Sequence, residues 1–158
     1  MNIDILIHAR WVIPVEPEDT VYENYAIAVK NDKIVALLSS KDAKRKFKAK
    51  EELTLENHAL IPGLINAHTH AAMTLFRGLA NDLPLMNWLN NHIWPAEKKW
   101  ISPVFIKDGT KLAIAEMIRS GTTCFNDMYF FSDNTAEVCV NTGMRAVIGL
   151  IVIDVPTS

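Results

Sequence analysis

The chain has 158 residues, of which 49% are apolar and 22% are charged. This composition is typical of a globular protein of about one domain and excludes a fibrous or disordered chain. A net charge of -2 provides neither a basic surface for nucleic acid nor a polybasic patch for a membrane, and we expect neither partner.

The lack of a targeting signal in the sequence and the small number of cysteines favour a cytoplasmic location. No apolar run reaches the roughly 20 residues that span a bilayer, and His8 and Arg10 interrupt the N-terminal apolar stretch, unlike a signal peptide. Cys124 and Cys139 are too few for a disulfide framework, and we expect both to be small buried thiols.

Residues 1–60 carry the pattern of a small β-domain. Alternating apolar residues predict a first strand at 3–13. Segments 26–30 and 33–38 flank the turn residues Asn31 and Asp32, which predicts a hairpin. The charged run 41–52 is expected to be a solvated helix or loop, and residues 53–60 return as a strand.

From residue 61 onward the pattern changes to alternating strands and helices. Ser102 and Pro103 mark the start of one helix, while Gly121 and Gly143 are expected helix stops. Such alternation predicts a parallel sheet. Strands are predicted at 61–70, 122–128 and 144–153, helices at 103–120 and 133–142, and a long loop with one or two helices at 71–101.

The chain ends directly after the third of these strands. A parallel barrel of eight strands typically needs about 250 residues, and a near-continuous apolar strand normally requires cover on both faces. We therefore expect the chain to be part of a longer protein.

His68 and His70 are the candidate metal ligands. They lie two residues apart at the C-terminal end of an apolar strand, so their imidazoles project from the same face. Zinc binds histidine nitrogen, and parallel α/β enzymes place their sites at this end of the strands. A bare pair of this spacing is more often exposed or hydrogen bonded than bound to metal, so its surroundings must decide.

Those surroundings resemble a known superfamily. The run PGLINAHTH at 62–70 resembles the amidohydrolase signature, in which a proline-glycine turn leads into the first strand of a (β/α)8 TIM-type barrel. AHTHAAMTLFRGLANDLPLMNWL (67–89), HIWPAEKKW (92–100) and GTTCFNDM (121–128) are similar to its methylthioadenosine/S-adenosylhomocysteine deaminases. The resemblance implies an α/β fold, with the start of a barrel in residues 61–158 and a small β-sandwich-like domain in residues 1–60.

The same resemblance implies a hydrolytic deaminase that uses one zinc ion. Its substrates would be 5'-methylthioadenosine and S-adenosylhomocysteine, from whose adenine ring ammonia is released. His68 and His70 would be two zinc ligands, while a third histidine, an aspartate and a proton-transferring glutamate would come from later strands. No catalytic residue is expected within this chain, which should be inactive alone. The full-length protein is expected to be a homo-oligomer.

Substrate contacts are also implied. Glu97 of the WPAE segment would hold the ribose hydroxyls, because an ionised carboxylate can accept hydrogen bonds from both hydroxyls of a cis-diol. Apolar and aromatic side chains suit a flat base and a thioether tail. The expected pocket wall is Met73, Leu85, Trp88 and Trp94. Any one of these four could equally belong to the core beneath a long loop. For Glu97 the alternative is a helix-surface carboxylate beside Lys98 and Lys99, and the HIWPAE context favours sugar binding over it.

Other polar residues have structural interpretations. For Arg77 a salt bridge is favoured over substrate contact. Asn66 and Asp127 lie at strand ends and could orient a ligand or serve as capping or turn residues, which is the favoured role for Asp127. Some of the deaminases carry an arginine a few residues after the stretch GMR. Here Arg145 is followed by AVIGLIVID, which weakens the expectation of tight binding to a carboxylate-bearing tail.

Two alternatives stay open. A related heterocycle hydrolase of guanine or triazine type would share much of the loop after the first strand, although Glu97 favours a nucleoside. A non-catalytic fragment would have the same residues, and the sequence downstream of Ser158 would distinguish it from an enzyme.

Overall fold

A computed structural model describes residues 1–152, which fall into two compact units divided after Pro62. The sequence predicts a boundary two residues earlier. Within residues 1–152, no helix is both long enough and apolar enough to cross a membrane.

The first unit is one four-stranded sheet with a short helix. Its elements are β1 (Asn2–Val12), β2 (Tyr22–Lys30), β3 (Lys33–Ser39), α1 (Ser40–Lys46) and β4 (Lys48–Leu60). The strand order is β3-β2-β1-β4, with β4 parallel to β1 and the other pairs antiparallel. Ala43 of α1 is buried with apolar residues of β1 and β2, and these form the core of the unit. A sandwich would need a second sheet, which residues 1–62 do not contain.

The predicted hairpin is confirmed, whereas the charged run has a different structure. Asn31 adopts a left-handed conformation at the turn between β2 and β3, which asparagine tolerates well. The run 41–52 is divided between α1 and the first residues of β4. β4 lies at the edge of the sheet, where Lys50 forms an ion pair with Asp4 at 2.6 Å. An edge strand accommodates such charges because one side faces solvent.

The second unit alternates strands with helices. It contains β5 (Leu64–Thr69), a 3₁₀ helix (Ala71–Phe76), α2 (Leu85–Trp88), a π-helical turn (Leu89–Ile93), α3 (Trp94–Trp100), α4 (Pro103–Arg119), β6 (Thr122–Met128), α5 (Ser132–Thr142) and β7 (Arg145–Gly149). The strands lie in the order β5-β6-β7, and both pairs are parallel. The predicted parallel sheet is therefore confirmed. The expected long loop is more helical than predicted.

Local signals fix the helix ends as predicted. The Ser102 hydroxyl accepts a hydrogen bond from the Phe105 amide at 3.2 Å, which caps α4. Gly121 and Gly143 have φ angles of 84° and 71° after α4 and α5, a region that favours glycine.

The third strand is shorter than predicted. β7 ends at Gly149, which pairs with Met128, the last residue of β6. Residues 150–152 continue without a ladder because β6 offers no further partner, and residue 153 of the expected strand lies outside the described residues.

Helix α4 packs closely against the 3₁₀ helix that follows the two histidines. At Gly109, an added Cβ atom would lie 2.5 Å from the carbonyl oxygen of Ala72 and 2.8 Å from its Cα atom. Only glycine fits at such a crossing. Ala72 and Ile106 are buried beside it, so the crossing fixes the backbone just after His70.

We predict that Gly109→Ala lowers the free energy of unfolding of the full-length protein by about 1–3 kcal/mol, the usual cost of overpacking. Alanine has the higher helix propensity by about 1 kcal/mol, but the contacted atoms belong to backbone and cannot move aside easily. Chemical denaturation measures the change.

The matched control is Ala115→Gly, at an exposed position of the same helix. It should lose about 1 kcal/mol through helix propensity alone. A Gly109→Ala protein as stable as the wild type would contradict the close approach of α4.

Candidate functional site

The two histidines lie together at the C-terminal end of β5. His68 is on the strand and His70 follows its last residue. Their ring centroids are 5.1 Å apart with an interplanar angle of 72°, and both residues are exposed. The imidazoles therefore emerge on the same side, as the spacing predicts.

A backbone carbonyl sets the tautomer of His70. Its Nδ1 atom lies 2.7 Å from the carbonyl oxygen of Met128, at the end of β6. A carbonyl can only accept, so Nδ1 carries a proton, and in the neutral imidazole Nε2 then has the free lone pair. Metal-bound histidines are commonly held in this way. His70 thus fits a metal ion, although within residues 1–152 no third histidine, cysteine, aspartate or glutamate completes a cluster.

Asp127 holds the end of β5 against β6. Its side chain is 1% exposed, and Oδ1 accepts hydrogen bonds from the Thr69 hydroxyl at 2.8 Å and the Ala71 amide at 2.7 Å. These two donors flank His70, so the carboxylate fixes the backbone that carries it. Asp127 lies on β6 and forms no turn, but it accepts from the amide of the first residue of the 3₁₀ helix, so the capping role expected from the sequence is borne out.

A cavity of about 480 Å³ lies beside His70. Four of the residues predicted for substrate binding line it, together with apolar residues that the sequence analysis did not single out. The predicted residues are Met73, Trp88, Trp94 and Glu97, and the additional ones include Leu89, Ile93, Met128 and Phe130. Leu85 was expected in this wall, but it does not line the cavity and is largely exposed.

Glu97 has a partner that sequence reasoning missed. Tyr129 directly follows β6, and its hydroxyl donates a hydrogen bond of 2.6 Å to Glu97 Oε1. Burial raises the pKa of the Glu97 carboxyl, while the bond from Tyr129 and the nearby His70 oppose that shift. Burial and the Glu97 carboxylate also raise the pKa of the Tyr129 hydroxyl far above its usual range. The hydroxyl therefore stays protonated and remains a donor.

The other polar residues have mainly structural contacts. Arg77 forms a bidentate pair with Glu116 at 2.9 and 2.6 Å, as favoured from the sequence. Asn66 Oδ1 accepts a long hydrogen bond of 3.4 Å from the His68 amide. Cys139 is buried as expected, and its burial raises the pKa of the thiol, but Cys124 is only half-buried.

A parallel α/β unit with paired histidines at a strand end has the arrangement of a metal-dependent α/β enzyme. The model of the amidohydrolase family matches residues 59–157, well over half of the chain. The chain belongs to the amidohydrolase family.

Similar proteins agree with this membership. The chain is 48% identical over 154 residues to a 5-methylthioadenosine/S-adenosylhomocysteine deaminase of Saccharophagus degradans, covering 98% of this chain and 34% of that protein. A crystal structure of an adenosine deaminase from Xanthomonas campestris with bound zinc has 52% sequence identity to this chain. The two superpose with a TM-score of 0.93, over 99% of this chain and 36% of that one.

A more distant likeness concerns the fold alone. The guanine deaminase of E. coli has a TM-score of 0.77 at 18% identity, over 97% of this chain and 38% of that one. The chain spans about a third of the length of the curated relatives it matches.

We predict that Asp127→Ala destabilises the full-length protein by about 1–3 kcal/mol, because the Ala71 amide is left without a partner, whereas the Thr69 hydroxyl can still donate to the Asn126 carbonyl at 3.0 Å. Ala71 is buried, so its amide cannot form a replacement hydrogen bond with water. Denaturant titration measures the loss.

Thr69→Val is the matched control, because it removes one hydroxyl and leaves the bond from the Ala71 amide to Asp127. It should cost distinctly less than Asp127→Ala. Equal losses for the two variants would show that the Ala71 bond contributes little.

Proposed function

We propose that the full-length protein containing this chain is a zinc-dependent hydrolytic deaminase of the adenine ring in 5'-methylthioadenosine and S-adenosylhomocysteine. One observation carries the proposal: the cavity beside His70 combines a carboxylate with aromatic and thioether side chains. The similarity to proteins named as such deaminases supports it. In this proposal, residues 63–152 begin an eight-stranded barrel that further strands complete.

His68 and His70 would hold the zinc ion. When bound, zinc supplies a water molecule with a lowered pKa close to the substrate. His70 keeps Nε2 available because its Nδ1–H group donates to the Met128 carbonyl. Asp127 contributes indirectly, since it fixes Thr69 and Ala71 on either side of His70. The remaining ligands and the proton-transferring glutamate are assigned to segments outside this chain.

Glu97 would bind the sugar of the substrate. Tyr129 occupies Oε1, so Oε2 and the second lone pair of Oε1 are available to ribose hydroxyls. Trp88, Trp94 and Met73 line the same cavity and would contact the flat base and the thioether. A carboxylate in this cavity favours a nucleoside over the bare ring of a guanine or triazine hydrolase.

The tail of the substrate meets mostly apolar groups. Among the described residues that line the cavity, none is an arginine or a lysine. Leu150 and Ile151 also line it and extend its apolar surface. These residues suit a methylthio group better than the charged tail of S-adenosylhomocysteine, in agreement with the missing arginine after Arg145.

We predict that Glu97→Gln lowers kcat/KM for 5'-methylthioadenosine by about 10–100-fold, mainly through KM, because a hydrogen bond to a charged group contributes about 1.5–3 kcal/mol. Ammonia release from the purified full-length protein measures it, with zinc content determined in parallel.

Glu137→Gln, which changes an exposed carboxylate paired with Lys107, is the control and should leave both constants unchanged. Wild-type kinetics in Glu97→Gln would show that Glu97 does not bind the sugar.

We also predict that the double variant His68→Ala/His70→Ala loses its bound zinc. A catalytic zinc site needs about three protein ligands, and removing two leaves the ion weakly held. Elemental analysis of protein dialysed against buffer measures zinc per chain. His58→Ala, an exposed position of the first unit, should keep the wild-type content. Full zinc occupancy in the double variant would refute the assignment.

A further inference from the structure

We propose that Tyr129 is a positioning residue for substrate recognition, which holds the Glu97 carboxylate at a fixed place relative to His70. The inference rests on the proposed function, in which Glu97 binds ribose and His70 binds the metal. Tyr129 itself would touch neither the reacting atoms nor the metal.

The first observation is that Tyr129 contacts both ends of the site. Its ring centroid lies 5.7 Å from that of His70, and its hydroxyl donates to Glu97 Oε1 at 2.6 Å. One rigid aromatic side chain therefore spans the space between the candidate metal ligand and the candidate sugar ligand. A phenol ring has a fixed length, so it sets a separation that a flexible side chain could not.

The second observation is that Tyr129 is itself firmly held. It follows the last residue of β6 and is 6% exposed. Its ring packs edge-on against Phe130 with centroids 5.1 Å apart, and it shares a buried cluster with Ala72 and Ile106. The sheet and helix α4 thus fix the position of its hydroxyl.

The third observation concerns Glu97. It lies on α3, a helix of seven residues that follows a π-helical turn, and such irregular segments do not by themselves fix a side chain. Among residues 1–152, its carboxylate has one side-chain hydrogen-bond partner, which is Tyr129. Without that donor, the half-buried carboxylate would turn towards water to recover its solvation. The hydroxyl keeps it directed into the cavity.

This arrangement predicts an effect on sugar recognition rather than on chemistry. Tyr129→Phe keeps the ring against His70 and removes only the hydroxyl. Substrates with ribose hydroxyls should bind less well, while substrates without them should be unaffected. A purely structural role would weaken both kinds of substrate equally.

The experiment compares 5'-methylthioadenosine with its 2',3'-dideoxy analogue in the full-length, zinc-loaded protein. Wild type, Tyr129→Phe, Glu97→Gln and the double variant are assayed by ammonia release, with Tyr22→Phe, in the first unit, as the matched control. We expect Tyr129→Phe to raise KM for 5'-methylthioadenosine about tenfold, as for a lost hydrogen bond to a charged group, with little change in kcat. Kinetics on the dideoxy compound should stay at the wild-type level. In the double variant, Tyr129→Phe should add nothing to the effect of Glu97→Gln.

Two results would overturn the inference while leaving the proposed function intact. One is an unchanged KM for 5'-methylthioadenosine in Tyr129→Phe, and the other is an equal loss on both substrates. A wild-type protein that deaminates neither compound, or that does not prefer 5'-methylthioadenosine, would instead refute the proposed function and the inference with it.

Discussion

The buried carboxylate of Asp127 is the contact on which the candidate site depends. It ties β6 to the end of β5 through the Thr69 hydroxyl and the Ala71 amide. Both donors leave water on folding, so the bonds are strong and difficult to replace. The next two residues, Met128 at the end of β6 and Tyr129 just after it, hold other parts of the site. The Met128 carbonyl sets the tautomer of His70, and Tyr129 reaches Glu97. Three consecutive residues thus organise a site whose recognisable motif lies on another strand.

This division explains what the sequence could predict. The i, i+2 spacing of His68 and His70, the cap at Ser102 and the glycine stops are local patterns, and each was found correctly. The contacts of Asp127, Met128 and Tyr129 join residues that are 32 to 58 positions apart. The hydrophobic periodicity of the sequence does not predict such long-range contacts, because they depend on the parallel register of β5 and β6. In the run NDMYF (126–130), polar residues at the end of a buried strand indicate a functional site, but they do not indicate which residues they contact.

The errors have the same origin. The charges from Lys48 to Glu52 favour a solvated helix or loop, whereas the edge position of β4 accommodates them in a strand. The apolar residues up to 153 favour a longer third strand, but a strand needs a partner and β6 ends at Met128. The residue type of Leu85 favours a place in the pocket, but its side chain is largely exposed. Residue types indicate which secondary structure a segment can form, whereas pairing with a neighbouring strand determines where a strand ends.

Exposed apolar residues on the three-stranded sheet of the second unit connect the fold to the proposed activity. Ile65 on β5 and Val147 on β7 are 72% and 62% exposed, although strands of parallel sheets are normally covered on both faces. In the proposed barrel, further strands would pack over these side chains. The C-terminal ends of those strands would carry the zinc ligands other than His68 and His70. Burial of the apolar surface and completion of the metal site would then be one event. Zinc affinity would therefore depend on the packing of the barrel as well as on its ligands, because metal-binding energy and folding energy are linked when the site does not exist before folding.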